Sequence, residues 1–375
     1  MFSDSYKPYI SGVTNSIEIL VKELRNLGHK VYIFAPQSPR HVDTDPDIIR
    51  FPSIPALVAP KFRLAIPYAK NVPQVDIIHT HSPFQAGLLA SYVAHHRNIP
   101  LVYTFHTLLT RYVHYAPFIP EFLLKRFLVF YLRTYCSGLD AIICPSELAK
   151  RVLRRWRIPQ RAEVIPSGVE MSLYPSSPEA ARKNLRKKFD IPENAKVLIY
   201  IGRVSKEKNL SFLLRAFKRL GRDDVYLFLA GGGAIEKELK QAIKQQKNYK
   251  RIIQPGEINY PDVLSYYSIG DIFVFSSITE TQGMVLAEAK AAGLPIVALF
   301  AGGLMGTVRY GIDGYLVPRN LDLFVEKLKL LLEDDALRKK MGEAAREDIV
   351  ERFSSVVIAK KIESLYNSLI KGKGA

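Results

Sequence analysis

Glu280 and Glu288 lie eight residues apart in Ser276-Ser277-Ile278-Thr279-Glu280-Thr281-Gln282-Gly283-Met284-Val285-Leu286-Ala287-Glu288-Ala289. An apolar run, 271–275, precedes this segment, and a helical pattern leads from it to Gly293-Leu294-Pro295. Glu280 therefore falls in a strand-to-helix loop, Gly283 at the helix start, and Glu288 inside the helix. Amides at a helix N-terminus, here those of Gly283, Met284 and Val285, form an anion site. Gly283 lets the main chain approach a phosphate closely. Glu280 can reach over that phosphate to sugar hydroxyls, and Glu288 can accept hydrogen bonds from a ribose diol. Taken alone, either glutamate also fits ordinary helix-terminus electrostatics.

A second segment, Ile201-Gly202-Arg203-Val204-Ser205-Lys206-Glu207-Lys208-Asn209, overlaps the end of an apolar run and precedes a helical stretch. Arg203 and Lys208 can clamp a diphosphate from two sides. Their task would be to stabilise charge on a departing diphosphate. A solvated loop is the commoner fate of Lys and Arg. The C-terminal end of a strand favours the clamp, because α/β sheets bind ligands there.

These residues need rigid elements behind them. Candidate strands are 31–35, 48–51, 76–79, 101–105, 141–144, 197–201, 226–230, 271–275 and 295–298, with helical patterns between them, such as 14–27, 210–220 and 284–292. That alternation predicts βαβ units and parallel sheets. A chain of 375 residues implies two domains. The turn-rich stretch after Pro166-Ser167-Gly168 places the boundary there, and a fresh helix over 179–189 opens the second half. The end, 354–371, reads as a helix crossing back to the first domain, with Val357, Ile358, Ile362, Leu365 and Leu369 on one packing face. Only Met1 and Phe2 precede the polar turn Ser3-Asp4-Ser5, so the first strand is expected to be stunted.

Other chemistries fit less well. Gly231-Gly232-Gly233 is not Gly-x-Gly-x-x-Gly, and no acid follows at the spacing a dehydrogenase uses. The triplet fits close approach to a ligand or a plain tight turn. Cys136 and Cys144 form neither a disulfide framework nor a paired metal-ligand spacing, which suits a reducing compartment. His79 and His81 resemble a metal pair in spacing but lack a third ligand at motif distance, so lining of a cleft is the better reading. His106 follows a strand and should sit at a sheet edge facing the cleft. A core or helix-capping histidine is the alternative.

Net charge is +17. Such a field attracts nucleic acid or an anionic lipid surface, or simply aids solubility. The stretch 120–133 combines Phe122, Phe127, Phe130 and Tyr131 with Lys125, Arg126 and Arg133. The loop 57–69 adds Lys61, Phe62 and Arg63, and a third cluster holds Lys150, Arg151, Arg154, Arg155, Arg157 and Arg161 around Trp156. Basic, aromatic helices suit an anionic membrane interface, although the apolar residues could equally pack inside. No apolar run reaches the length of a membrane span, and no signal peptide is visible. A cytoplasmic protein is expected, peripheral on the inner face of the cell membrane.

Glu280 and Glu288 match the Glu-x7-Glu motif of the retaining GT-B glycosyltransferases, family 4, and the chain resembles that family throughout. The Gly202-Arg203…Lys208-Asn209 pattern is similar to the family's phosphate clamp. Ser11-Gly12-Val13 looks like its N-terminal Gly-Gly-Val loop, with Ser11 replacing the first Gly. Phe105-His106-Thr107 looks like its Phe-His-Thr segment, residues 163–169 like its interdomain hinge, and Gly256-Glu257-Ile258 like its base-reading loop.

The resemblance implies an α/β GT-B fold, two Rossmann-like domains facing across a cleft. Residues 1–168 plus 355–375 would bind the acceptor, and 169–354 the nucleotide-sugar donor. Donor contacts would fall to Gly12, Arg203, Lys208, Ile258, Glu280, Gly283, Met284, Val285 and Glu288, and catalysis to His106, Arg203, Lys208 and Glu280. Thr281-Gln282-Gly283 and His79-Thr80-His81-Ser82-Pro83-Phe84 look most like diacylglycerol glucosyl- or galactosyltransferases. Acceptor and membrane contacts would then involve His81, Lys125, Arg126, Phe127, Arg154, Arg155 and Trp156. The expected reaction moves a hexose from UDP-glucose or UDP-galactose to a membrane lipid, diacylglycerol or glycosyl-diacylglycerol, with no cofactor or metal. Transfer from GDP-mannose to phosphatidylinositol, or to a soluble sugar, are alternatives. A basic nucleic-acid-binding protein is the rival of another class, and it gives no reason for Glu280 and Glu288 beside the clamp.

Overall fold

A computed structural model describes residues 1–9, 11–39, 41–55, 63–66, 72–111 and 119–374. The chain divides into two compact units, Met1–Gly168 with Ser355–Ala375, and Val169–Ser354.

Unit 1 contains α1 (Gly12–Asn26), β1 (Ile33–Pro36), β2 (Ile48–Phe51), β3 (Ser53–Pro55), β4 (Arg63–Ala65), β5 (Ile78–Thr80) and α2 (Gln85–His96). It continues through β6 (Leu101–Thr104), α3 (Glu121–Cys136), β7 (Ala141–Cys144), α4 (Glu147–Arg155) and β8 (Ala162–Val164). Unit 2 runs α5 (Pro178–Lys188), β9 (Lys196–Ile201), α6 (Leu210–Leu220), β10 (Val225–Ala230), α7 (Glu236–Lys244), β11 (Ile252–Gly256), α8 (Val263–Tyr266) and β12 (Ile272–Phe275). It ends with α9 (Met284–Ala291), β13 (Ile296–Leu299), β14 (Gly314–Val317), α10 (Leu321–Glu333) and α11 (Asp335–Asp348), and α12 (Ser355–Gly374) returns to unit 1.

The unit 2 sheet is wholly parallel, in the order β11-β10-β9-β12-β13-β14. Its central strands are buried on both faces, as covered parallel strands must be. Strand order reverses between β9 and β12. In unit 1, β1 and β2 pair in parallel, and so do β5, β6, β7 and β8. Phe2 joins the two groups by bridging Phe34 and Thr80. The stunted first strand is thus a single bridging residue, fixed by Phe2 stacked on Phe34 at 4.4 Å.

Local chemistry sets the helix limits. Ser11, Ser146, Asn320 and Asp334 cap the N-termini of α1, α4, α10 and α11 through their side chains. Ser11, standing where the resemblance has the first glycine of Gly-Gly-Val, thereby starts α1. Ser177 caps α5, whose first residue is Pro178. Gly221, at φ +64°, ends α6. That helix buries Leu210, Phe212, Leu213, Leu214, Ala216, Phe217 and Leu220. Phe212 meets Phe324 of α10 edge-on at 5.2 Å.

The helix carrying Glu288 is anchored by a buried charge network. Lys290 Nζ donates to the Thr307 carbonyl at 2.7 Å, to Asp313 Oδ2 at 3.0 Å and to Asp348 Oδ2 at 2.5 Å. Arg309 Nε donates to Asp313 at 2.7 Å, and Arg352 Nε to Asp348 at 2.5 Å. The network ties α9 to the loop before β14 and to the end of α11. These interactions hold the Asp348 carboxyl below its ordinary range, despite its burial. Lys290→Met is expected to destabilise unit 2 by about 3–5 kcal/mol, because it strands buried carboxylates. Chemical denaturation checks this, and a loss below about 1 kcal/mol would contradict the anchoring role.

Candidate active site

The loops after β9 and β12 leave the sheet side by side, where strand order reverses and a doubly wound sheet opens a crevice. Serine hydroxyls lace them together. Ser276 Oγ donates to the carbonyls of Lys208 and Asn209 at 2.7 and 3.0 Å, and Ser277 Oγ to that of Glu207 at 3.2 Å. Lys208 Nζ then reaches Glu280 Oε1 at 2.6 Å, with both side chains mostly enclosed. Arg203 is 61% exposed on the same loop, its Nη2 3.4 Å from Glu207. Tyr200, buried at the end of β9, donates its hydroxyl to the Arg203 carbonyl at 2.8 Å and so fixes that turn.

Gly283 opens α9 at φ +75°, a conformation that favours glycine, and no side chain caps the helix. The first-turn amides of Met284 and Val285 follow it. Glu288 Oε2 accepts from the Tyr267 hydroxyl at 2.7 Å, while Tyr174 donates to the Glu288 carbonyl at 2.9 Å. Burial raises the Glu288 carboxyl above its ordinary range, against the hydrogen bond from Tyr267. Ile258 lies beyond β11, partly buried against the core.

Glycines make these loops fit. A Cβ on Gly231 would stand 1.9 Å from the Gly202 carbonyl oxygen, and one on Gly233 2.2 Å from that of Val204. Gly231 and Gly233 thus serve close main-chain contact with the loop that carries Arg203 and Lys208, while Gly232 faces Glu257. A Cβ on Gly303 would stand 2.1 Å from the Glu280 carbonyl oxygen.

In unit 1, Gly12 begins α1, and His81 and His106 lie beyond β5 and β6. His81 Nδ1 and His106 Nε2 are 2.9 Å apart, with the rings stacked at 5.2 Å. His79 has both nitrogens engaged, by Tyr366 Oη at 2.5 Å and Thr104 Oγ1 at 2.6 Å. Asp4, beside Phe2, accepts from Ser82 Oγ at 2.6 Å and from the Ala86 amide at 2.9 Å, at the start of α2. Among the described residues, no three His, Cys, Asp or Glu side chains are grouped to hold a metal.

The expectation that His79 and His81 line a cleft needs correction: they are only 2% and 4% exposed, His79 engaged by Tyr366 and Thr104 and His81 enclosed beside His106. The basic clusters of 120–133 and 150–161, separate in sequence, meet in space. Arg111, Lys125, Arg155 and Trp156 line one groove of about 600 Å³ between α3 and α4. Trp156 packs edge-on against Phe105 at 5.9 Å, so its body is structural. Arg126 and Phe127 on α3 and Arg154 on α4 are exposed. Lys61 and Phe62 lie outside the described residues, and Arg63 sits in β4.

Sequence reasoning missed Tyr200, Tyr267, Gly303 and Arg111. Only the Gly302-Gly303 pair, following an apolar strand, carried a usable signal.

Two family descriptions match the chain, Glycosyltransferase Family 4 over residues 10–173 and Glycosyl transferases group 1 over 181–348. Among solved structures, Anabaena HepE in complex with UDP has a TM-score of 0.76 at 20% identity, covering 98% of each chain. That likeness, with the two doubly wound units, defines the class as GT-B. Alpha-monoglucosyldiacylglycerol synthase of Streptococcus pneumoniae is 33% identical over 83% of this chain and 75% of its own. The Acholeplasma laidlawii enzyme of the same name is 30% identical over 99% and 96%. The chain belongs to family 4 of the GT-B glycosyltransferases.

Gly303→Ala is expected to push the Glu280 main chain aside and lower glycosyltransferase activity by about 100-fold, as displacements near 1 Å do. The circular dichroism spectrum should keep its native form. Activity within about twofold of wild type would show that Glu280 tolerates displacement.

Proposed function

We propose that this glycosyltransferase moves a hexose, with retention of configuration, from UDP-glucose or UDP-galactose to a membrane lipid hydroxyl. Diacylglycerol or a glycosyl-diacylglycerol is the acceptor. The observation that carries the reading is the contact of Lys208 with Glu280 across the strand-order reversal, beside the uncapped start of α9. A cation for phosphate and a carboxylate for sugar hydroxyls stand together there. UDP bound to HepE and the lipid product named for the two synthases support the donor and acceptor.

In this reading residues 169–354 hold the donor. Arg203, Lys208 and the amides of Gly283, Met284 and Val285 receive the diphosphate. Glu280 holds the sugar hydroxyls, and Glu288, steadied by Tyr267, offers its other oxygen to the ribose diol. Ile258 and the main chain beside it meet the base. Residues 1–168 with 355–375 bind the acceptor, and Gly12 and His106 are that unit's candidate substrate contacts. The bond from the anomeric carbon to the leaving phosphate oxygen breaks as the acceptor oxygen attacks from the same face. The acceptor proton passes to that phosphate oxygen. The clamp and the α9 amides supply the charge stabilisation, so the mechanism uses no metal and no cofactor.

Lipid acceptors imply a membrane-facing surface. Phe122, Phe127 and Phe130 on α3 are 65%, 61% and 69% exposed, interleaved with Lys125, Arg126 and Arg133. An apolar ridge edged with cations suits an anionic leaflet. No helix among the described residues is long and apolar enough to cross a membrane. We place the protein peripherally on the inner face of the cell membrane, with Arg154, Arg155 and Trp156 extending that surface.

Arg203→Ala and Lys208→Ala are each expected to lower kcat by about 10²–10³ with the fold retained. Wild-type turnover in either would refute the clamp. A nucleotide-sugar panel including GDP-mannose, with lipid and soluble acceptors and product mass as readout, tests the substrates. Transfer to soluble sugars alone would overturn the lipid reading. Cosedimentation with anionic vesicles should weaken at least about tenfold in Phe127→Ala/Phe130→Ala, since burying one Phe contributes about 1.5–3 kcal/mol. Excess nucleic acid should leave wild-type vesicle binding in place. Equal binding to neutral and anionic vesicles, or none, would contradict the surface assignment.

A further inference from the structure

Glu288 stands among tyrosines from three other segments of unit 2. Tyr267, fully buried directly after α8, donates its hydroxyl to Glu288 Oε2 at 2.7 Å. Tyr174, ahead of α5, donates to the Glu288 carbonyl at 2.9 Å. Tyr260, between β11 and α8, faces the same carboxyl and also Glu170. Lys290, two residues further along α9, turns instead to Asp313 and Asp348. Among the described residues, the titratable groups facing the Glu288 carboxyl are therefore three tyrosines, one of which reaches it by a hydrogen bond.

Proton counting gives Tyr267 a particular task. A phenol has one proton to donate. Tyr267 Oη has two acceptors in reach, Glu288 Oε2 at 2.7 Å and the Val285 carbonyl at 3.5 Å. The short contact to an ionised carboxylate is charge-assisted and much the stronger. Once Glu288 is protonated, Tyr267 has only a weaker neutral bond to it, or the long contact to Val285. Tyr267 thus favours the carboxylate and opposes burial, which raises the Glu288 carboxyl. Burial and the Glu288 charge hold the phenol itself well above its ordinary range, so Tyr267 remains a donor at neutral pH.

The place of this carboxylate suits a ribose. Glu288 lies about 6 Å along the axis of α9 from Met284, at the uncapped end of the helix, because an α-helix rises about 1.5 Å per residue. Residues four apart share a face. A diphosphate on the first-turn amides would therefore bring the diol of its ribose toward Glu288. An ionised carboxylate accepts from both hydroxyls of a diol, whereas a carboxylic acid carries a donor on one of its oxygens.

We propose that Tyr267 is a positioning residue that determines specificity: by holding Glu288 as a carboxylate, it makes unit 2 select a nucleotide with an intact ribose diol over its 2′-deoxy counterpart. This rests on the ribose role given above to Glu288, and it adds which nucleotides are refused and what group controls the refusal.

Equilibrium binding of UDP and 2′-deoxy-UDP, and of GDP and 2′-deoxy-GDP, to the full chain from acid to mildly alkaline pH reads the selection as a ratio of Kd values. The members of each pair carry the same diphosphate, so the ratio cancels the clamp. At alkaline pH the diol nucleotide should bind about tenfold or more tightly, as loss of a hydrogen bond to a charged group predicts. The preference should fall as Glu288 takes up its proton. Tyr267→Phe keeps the ring against Phe273 but removes the bond that lowers the carboxyl. The fall should then move about one pH unit or more to the alkaline side, with 2′-deoxy nucleotide affinity within about twofold of wild type. A merely structural loss would weaken both members alike and leave the profile in place. In Glu288→Gln the ratio should be small and independent of pH. Superposed profiles for wild type and Tyr267→Phe, or a ratio that still follows pH in Glu288→Gln, would overturn the inference while the donor reading stands. Binding of neither UDP nor GDP would overturn both.

Discussion

A parallel sheet whose strand order reverses cannot cover the ends of its two central strands with one crossover helix, and this constraint organises the molecule. In unit 2 the reversal lies between β9 and β12, and the loops leaving them are held in contact. The 2.6 Å pair of Lys208 and Glu280 spans that contact. Each charge compensates the other in an enclosed setting, where a lone charge would be costly. The serine hydroxyls beneath, Gly231, Gly233 and the Gly303 contact all serve to bring the two loops to this separation.

Unit 1 solves the same topological problem with different chemistry. Its reversal is occupied by Phe2, one residue wide, stacked between the first and second strand groups. Asp4 next to it caps α2, and a polar chain from Tyr366 through His79 reaches Thr104 beside the stacked pair of His81 and His106. These histidines are held neutral by burial rather than charged by acids. The unit therefore offers hydrogen bonds at its strand ends, where unit 2 offers cations and amides. α12 supplies Tyr366, so the last helix of the chain completes an arrangement begun at the first strand.

Much of this was legible in the residues. Strand 141–144 and helix 210–220 read true to their limits, because continuous apolar runs and a following glycine mark them. β3, β4, β8, β11 and β14 went unread. All five are edge strands. β8 is only half-buried, β11 contains Gln254 and Pro255, and β14 begins on a glycine, so none shows an unbroken apolar run. Exposure of the aromatic face of 120–133 was also undecidable locally, since a membrane-facing helix and a core helix share one pattern.

Residue types and their positions at strand ends sufficed to nominate Arg203, Lys208, Glu280 and Glu288 as candidates, because loop, glycine and helix start are local features. Tertiary structure alone decided which of them touch. Lys208 meets Glu280 from 72 positions away, Tyr267 meets Glu288 from 21, and His81 meets His106 from 25. Local periodicity encodes which face of a strand is buried. It does not encode which strand lies next to it, and these contacts follow from that neighbour relation.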